Sequence, residues 1–203
     1  QLGVNGAMAD PRLELFFGAT RVGENNDWPA GLAPAVAAVG AFSFANGSRD
    51  AALRQTLGGA YTVQVQGPAA GAVLIEAYDA GGGSAARLVN LSSRHRVGTG
   101  SEVLIAGFYV AGTGAKRLLI RAVGPGLAAF GVAGVLADPQ LEIFDAGGVR
   151  RAENDNWEAE LAATFAQVAA FPLTAGSRDA AVVVTLSAGS GYTAHVAGAG
   201  GGT

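Results

Sequence analysis

The sequence predicts an all-β protein built from two tandem, jelly-roll-like β-sandwich domains with short helical segments. Three observations lead to this fold class. Stretches in which apolar and polar residues alternate recur along the chain, and this period is typical of half-buried strands. Glycine, at 32 of 203 residues, separates them without a collagen-like period, which indicates many tight turns. Finally, one block of motifs occurs twice.

The internal repeat is the strongest of these signals. Its matching segments are 8–16 with 136–144, 24–28 with 153–157, 47–52 with 176–181, and 61–62 with 192–193. The hexapeptide Gly-Ser-Arg-Asp-Ala-Ala is unchanged between the copies, at a spacing of about 130 residues. The spacing drifts slightly along the chain, as expected when loops of homologous domains gain single residues.

The repeat defines the predicted domains. The first copy spans residues 1–80, a Gly-rich linker spans 81–87, and the second copy spans 88–203. The first copy has no counterpart of 116–127, and the second ends where the first continues with 71–79. We therefore expect the first copy to lack its opening strands and the second to lack its closing strand. No signal peptide is visible, so we expect a mature chain or a piece of a longer one.

Local patterns predict each element in turn. Alternating segments indicate half-buried strands, and unbroken apolar or β-branched segments indicate core strands. In chain order, the predicted strands are 12–17, 61–66, 73–78, 88–97, 102–110, 118–123, 140–145, 182–184 and 192–196. Short helices are predicted at 33–39 and 158–168, and Asn156 is positioned to cap the second.

The composition excludes several classes of function. With a net charge of −3 and a pI near 5.3, the chain lacks the basic surface that nucleic-acid binding requires. The absence of cysteine excludes a disulfide scaffold and thiolate metal sites. No stretch of 18 uncharged apolar residues is present, so no membrane span is predicted.

The repeat also resembles a known family. The pattern Asp-Pro-x-Leu-Glu-x-Phe, followed by Glu-Asn-Asp-Asn-Trp and Gly-Tyr-Thr-Ala-x-Val-x-Gly, is similar to the bacterial pre-peptidase C-terminal domain. It resembles still more closely a tandem repeat of large secreted proteins of environmental bacteria, in which the segment 103–127 recurs as the opening of the repeat. The resemblance covers essentially the whole chain. It implies a small sandwich domain in secreted multidomain proteins, some of which bind calcium through acidic and amide loop residues.

Calcium is the one cofactor that the sequence suggests, because hard cations bind carboxylate and amide oxygens. The candidate ligands are Asp138, Asp145, Asn154, Asp155, Asn156 and Asp179. The alternative is that these residues form turns and cap the following helix. That alternative is favoured because no dense Asp-x-Asp-x-Asp-Gly loop occurs. The first copy has Phe17 in place of Asp145 and is the weaker candidate.

The two tryptophans, Trp28 and Trp157, follow these loops. One interpretation is an exposed aromatic platform for carbohydrate. Core packing is favoured, because an aromatic side chain beside a turn usually fills the end of a sandwich. The pairs Arg49-Asp50 and Arg178-Asp179 of the repeated hexapeptide could bind a ligand. A structural role is favoured, in which each aspartate accepts backbone hydrogen bonds or pairs locally with its arginine.

The sequence predicts no catalytic activity. The only histidines are His95 and His195, and they do not occupy equivalent positions in the two copies. A pair formed by Ser92 and His95 lacks a positioned acid, an oxyanion hole and the motif of a nucleophile elbow.

The predicted function is a non-catalytic structural subunit of an extracellular or cell-surface assembly. A sandwich without one strand exposes an apolar groove, and a strand from another copy fills it, so that copies polymerise head to tail. The residues expected to line this groove are Val182, Val183, Val184, Tyr192 and Val196. The partners are then other copies of the chain. The alternative function is a calcium- or carbohydrate-binding module cut from a larger secreted protein.

Overall fold

The computed structural model describes residues 6–81 and 87–203. These residues form antiparallel sheets with few short helices, which confirms the all-β prediction. They divide into two compact units: unit 1 ends at Leu91, and unit 2 spans Ser92–Thr203. Most of the predicted linker, residues 82–86, lies outside the described residues.

Unit 1 contains one three-stranded sheet. Its elements are β1 (Arg12–Phe17), β2 (Thr20–Asn25), a 3₁₀ turn (Ala30–Leu32), α1 (Ala33–Ala38) and β3 (Thr62–Gln66). The strand order is β2-β1-β3 with antiparallel neighbours, and a bulge interrupts the β1–β2 pairing between Leu15 and Phe16. An isolated parallel bridge joins Ala7 and Ala72.

Unit 2 contains two sheets. Its strands are β4 (Leu104–Val110), β5 (Ala115–Ala122), β6 (Pro139–Asp145), β7 (Arg150–Asn154), β8 (Ala180–Ser187) and β9 (Ser190–Gly198). Its helices are α2 (Ala162–Gln167) and 3₁₀ turns at Gly100–Glu102, Pro125–Phe130, Ala159–Leu161 and Ala199–Gly201. The larger sheet has the order β4-β9-β6-β7, and β5 pairs with β8 in the smaller one.

The core of unit 2 lies between these two sheets, so the unit is sandwich-like. The larger sheet supplies Val110, Leu141, Ile143, Tyr192 and Ala194, and the smaller one supplies Ala122, Ala180 and Leu186. Strand alternation explains this arrangement, because every second side chain of a strand lies on the same face. The apolar positions of β6, with Leu141 and Ile143 both buried, follow the period that the sequence shows.

A second apolar cluster covers the other face of the smaller sheet. It consists of Trp157, Phe165, Leu173 and Ala181, with Leu119 and Val123 packed against it. Phe165 is the buried residue of α2, so this short helix is held by packing. Asn156 does not cap it, because neither α2 nor the 3₁₀ turn before it has a side-chain cap.

The two units repeat the same sheet arrangement. In unit 1 the order is β2-β1-β3, and the corresponding strands of unit 2 have the order β7-β6-β9. A bulge occurs at the same place in both, between Leu15 and Phe16 and between Ile143 and Phe144. Unit 1 has no second sheet among its described residues, so a sandwich in each unit is not observed.

Two of the predicted strands are wrong. Residues 73–78 and 88–97 contain no strand, although both are rich in apolar residues. Leu74, Ile75 and Leu91 are more than half exposed. A strand requires a neighbour for its backbone groups, and neither segment has one among the described residues. Apolar content alone therefore overpredicted strands here.

The two helices end in the same way but with different residues. After α1, Gly40 has a φ of 69°, and after α2, Ala169 has a φ of 55°. In both cases the residue that follows donates its amide back into the helix, Ala41 to Val36 and Ala170 to Phe165. This ending requires a left-handed residue, which glycine adopts more easily than alanine does.

Candidate functional site

The structure corrects the location of the predicted groove. Tyr192 and Val196 lie on β9, which is hydrogen-bonded to β4 on one side and to β6 on the other. A central strand has no free edge, so β9 itself cannot pair with an added strand. Val182 and Val184, on β8, pack against the core between the sheets. Val183 lies between them on the same strand.

The outer edge of β5 is unpaired in the part of the chain that the structure describes. β5 runs antiparallel to β8, and beyond its first residue the amide of Ala188 donates to the carbonyl of Gly114 at 2.9 Å. Hydrogen-bonded and non-bonded pairs alternate along an antiparallel ladder. The residues whose backbone groups point away from β8 are therefore Ala115, Arg117, Leu119 and Arg121.

β4 has a free edge of the same kind. The amide of Ala199 donates to the carbonyl of Asp138 at 2.8 Å, so alternate residues of β9 bond to β6 and the intervening ones to β4. The backbone groups of β4 that point away from β9 belong to Ile105, Gly107 and Tyr109. Tyr109 is two-thirds exposed, which fits an open edge.

The opposite side of unit 2 is closed by contacts between β8 and the end of β7. The amide of Ala181 donates to Oδ1 of Asn154 at 2.8 Å, and the amide of Trp157 donates to the carbonyl of Asp179 at 2.8 Å. Both contacts lie on the side of β8 that faces away from β5. Unit 2 is therefore closed where β7 meets β8 and open along β4 and β5.

A cleft lies between the last residues of β8 and the hairpin that joins β6 to β7. The cleft has a volume of about 330 Å³ and is lined in part by Asp145, Arg151, Thr185 and Tyr192. Asp145 accepts hydrogen bonds from the amide of Val149 and from the guanidinium of Arg151. These bonds lower the pKa of Asp145 below its usual value, the amide of Val149 having the largest effect. The carboxylate is thus already satisfied within its own hairpin.

Asp179 is a buried structural residue. Its side chain is 0% exposed, and Oδ1 accepts hydrogen bonds from the amides of Gly124 at 2.8 Å and Gly126 at 3.0 Å. Oδ2 accepts a bond from Oγ of Ser177 at 2.6 Å. A Cβ on Gly124 would lie 2.1 Å from the carbonyl oxygen of Leu136, so only glycine fits at this turn. The sequence did not identify this contact, because Asp179 and the glycines are far apart along the chain.

The arginine of the repeated hexapeptide has a partner that the sequence did not suggest. Arg178 pairs with Asp138 at 2.6 Å, and the equivalent Arg49 pairs with Asp10 at 2.7 Å. The Asp-Pro motif and the hexapeptide are thus joined in each unit. Of the two predicted roles for the aspartate of the hexapeptide, local pairing with its arginine is not observed, whereas Asp179 does accept hydrogen bonds from backbone amides.

The predicted calcium ligands do not come together as a set. Asp138, Asp145 and Asp179 have the separate partners described above, and the amide group of Asn154 donates to the carbonyl of Asn156 at 2.9 Å. Asp155 accepts a bond from Asn156. Within residues 6–81 and 87–203, no group of three or more His, Asp or Glu side chains is arranged to hold a metal ion. Calcium stays a prediction from sequence.

The two tryptophans are not an exposed platform. Trp157 is only 9% exposed, packs on Phe165 with 5.4 Å between ring centroids, and donates from Nε1 to Oγ of Ser177. This burial rules out the exposed interpretation for Trp157. Trp28 is half-buried, lies 5.6 Å from the ring of Phe44 and donates to the carbonyl of Ala45.

The two histidines lie in different surroundings. His95 is exposed, and its Nδ1 lies 2.5 Å from the carbonyl oxygen of Arg96. His195 lies on β9 beside the ring of Phe144, with Nε2 at 3.1 Å from Oγ1 of Thr193. Neither histidine has a carboxylate as a partner in the residues that the structure describes.

Unit 1 presents an apolar surface that the sequence had assigned to a core strand. The side chains of residues 73–78 include Val73, Leu74, Ile75 and Tyr78, each more than 40% exposed. Between them Glu76 accepts a hydrogen bond from the hydroxyl of Tyr78 at 2.9 Å. An exposed apolar segment of this kind usually marks a site of interaction.

None of the described helices is long and apolar enough to cross a membrane. Comparisons with protein-family models, curated proteins and solved structures found no match to this chain. The resemblance to the pre-peptidase C-terminal domain therefore stays a prediction.

Proposed function

We propose that this protein is a non-catalytic structural subunit of an extracellular or cell-surface assembly, in which copies join head to tail by strand complementation. The observation that carries the proposal is the open edge of β5. Every second residue of β5, from Ala115 to Arg121, directs a backbone amide and a carbonyl away from β8. A strand paired with this edge would satisfy all of these groups.

The proposed donor is the exposed segment 73–79 of another copy. Three of its four odd-numbered residues, Val73, Ile75 and Ala77, are apolar, and the fourth, Asp79, is its last residue. An added strand would therefore direct one largely apolar face toward the core. The β5 edge carries the exposed cations Lys116 and Arg117, and the donor segment carries Glu76. Opposite charges on the two segments favour this pairing over others.

The geometry of this contact leads to a linear polymer. The donor lies in unit 1 and the acceptor in unit 2, so the two surfaces of the joint are different patches of the same chain. Such a heterologous contact leaves one donor and one acceptor free at the ends and extends unless the rotation closes a ring. Under this proposal, the added strand extends the smaller sheet of unit 2 beyond β5.

Blocking the β5 edge tests the proposal. The variant Arg117→Pro removes an amide that points away from β8, so the ladder within unit 2 stays intact while strand addition is prevented. We expect the native chain to form filaments by negative-stain microscopy and to sediment as a concentration-dependent polymer. Arg117→Pro should remain monomeric.

The matched control is Arg117→Gln, which removes the same charge but keeps the amide. It should still polymerise. Far-ultraviolet circular dichroism of both variants establishes that unit 2 is folded. A native chain that remains monomeric at all concentrations, or an Arg117→Pro variant that polymerises as well as the control, would contradict the proposal.

A further inference from the structure

The surroundings of Asp179 have a counterpart in unit 1. The amide of Trp28 donates to the carbonyl of Asp50 at 2.7 Å, as that of Trp157 does to Asp179. The amide of Ala52 donates to Oδ1 of Asn25 at 2.9 Å, which repeats the contact of Asn154 in unit 2. The backbone framework of the two sites is therefore the same.

In unit 2 a strand and the turn after it fill this site. Gly124 and Gly126 donate their amides to Asp179, and Arg121 lies with its guanidinium carbon 4.3 Å from the ring centroid of Phe171. Nη1 of Arg121 also donates to the carbonyl of Phe171 at 2.7 Å. Phe130 packs edge-on against the same ring.

In unit 1 the equivalent groups lack these partners. Phe42, the counterpart of Phe171, is 56% exposed, and Asp50 is exposed where Asp179 is buried. No hydrogen bond to the carboxylate of Asp50 occurs among the described residues. The described part of unit 1 contains no segment equivalent to β5 and the turn that follows it.

A buried hydroxyl gives independent support for an unfilled site. Oγ of Ser48 is inaccessible to solvent and has no hydrogen-bond partner in the described part of the chain. Its counterpart, Ser177, accepts a bond from Trp157 and donates one to Asp179. A buried polar atom without a partner is unfavourable, and turning the Asp50 carboxylate inward would satisfy it.

We propose that the face of unit 1 formed by Phe42, Phe44, Ser48 and Asp50 binds a partner polypeptide that carries an apolar strand with an arginine, followed by a Gly-x-Gly turn. The two glycine amides bind the Asp50 carboxylate, and the arginine covers the ring of Phe42. Residues 118–127 of unit 2 are an example of this chemistry. The proposal does not depend on polymerisation through the β5 edge, since a monomeric chain can bind such a segment.

A synthetic peptide with the sequence of residues 115–130 is the probe. The acceptor is the full chain carrying Arg117→Pro, so that polymerisation through β5 does not interfere. We expect saturable binding by calorimetry, with hydrogen-exchange protection of residues 42–53. Asp50→Asn should weaken binding about tenfold, because it removes a charged acceptor of two hydrogen bonds.

The peptide itself supplies the matched control. Replacing the residue equivalent to Gly126 with N-methylglycine removes one amide donor and should weaken binding to a similar extent. Because Asp50 is exposed, Asp50→Asn should leave the unfolding transition of the chain unchanged.

Three outcomes would overturn the proposal. The first is binding that Asp50→Asn and the N-methylated peptide leave unaltered. The second is hydrogen-exchange protection confined to residues 92–203, which would show that the peptide binds in unit 2 in place of the chain's own segment. The third is that the peptide does not protect residues 42–53 from hydrogen exchange, whereas self-association of the chain does. This result would identify a second copy of the chain as the occupant.

Discussion

Single residues decide how the repeated framework is completed in each unit. Asp50 and Asp179 are at equivalent positions in the two copies of the hexapeptide. Asp179 is buried and accepts hydrogen bonds from two glycine amides, whereas Asp50 is exposed to solvent. The sequence predicted that the repeated hexapeptide is structural. It could not predict which atoms its aspartate and arginine contact, because the partners lie 39–55 residues away along the chain.

Ala169 offers a test at the scale of one residue. We expect Ala169→Gly to raise the free energy of unfolding by about 1 kcal/mol, because an L-residue is strained in the left-handed region. Chemical denaturation measures the change. The reciprocal variant, Gly40→Ala, should destabilise unit 1 by a similar amount, since a Cβ there meets no atom within 4 Å and the effect is one of backbone strain. Destabilisation by Ala169→Gly would contradict this account.

At the scale of elements, the alternating pattern identified several of the paired strands but missed β2 and β7, which both lie at sheet edges. The predicted segment 12–17 coincides with β1. Segment 140–145 begins one residue after the start of β6, and segment 118–123 begins three residues after the start of β5 and ends one residue beyond it. Segment 73–78 is as apolar as those, and segment 88–97 contains four apolar residues, but neither forms a strand. Pairing depends on residues elsewhere, so the local pattern could not distinguish the two cases. The free edges of β4 and β5 were for the same reason invisible in the sequence.

The closed side of unit 2 depends on Asn154, which joins the end of β7 to the start of β8. Asn154→Ala removes the acceptor of the Ala181 amide and should lower the free energy of unfolding by about 2 kcal/mol. Thermal or chemical denaturation measures this loss. The control is Asn156→Ala, whose exposed side chain hydrogen-bonds to the neighbouring Asp155 and which should change stability by less than about 0.5 kcal/mol. Equal effects of the two variants would argue against the role of Asn154.

At the scale of the whole molecule, the chain carries an exposed apolar segment in one unit and two open strand edges in the other. Natural sheets usually protect their edges, because unpaired edges promote association. Here the two features occur together and are complementary in chemistry. The sequence predicted an unfilled groove but assigned it to residues of β8 and β9, and β9 is paired on both sides within the larger sheet.

The donor segment can be tested in the intact chain. We expect Ile75→Lys to weaken self-association by at least about tenfold, because it places a charge on the apolar face of the added strand. Sedimentation velocity across a range of concentrations measures the effect. Glu76→Gln is the control, and it should have a small effect, since one exposed charge pair contributes little. Unchanged association of Ile75→Lys would exclude this segment as the donor.

The cations at the β5 edge also bear on which strand is accepted first. A backbone edge by itself cannot discriminate, since every polypeptide carries the same donors and acceptors. The described part of the chain contains two unpaired segments with apolar residues, 73–79 with Glu76 and Asp79, and 88–97 with Arg94 and Arg96. Under the proposed assembly they would compete for one edge, and the field of Lys116 and Arg117 would accelerate the encounter of the acidic segment and slow that of the basic one. The edge would then select its partner by the rate of encounter, and added salt should reduce this selectivity before it weakens the paired state.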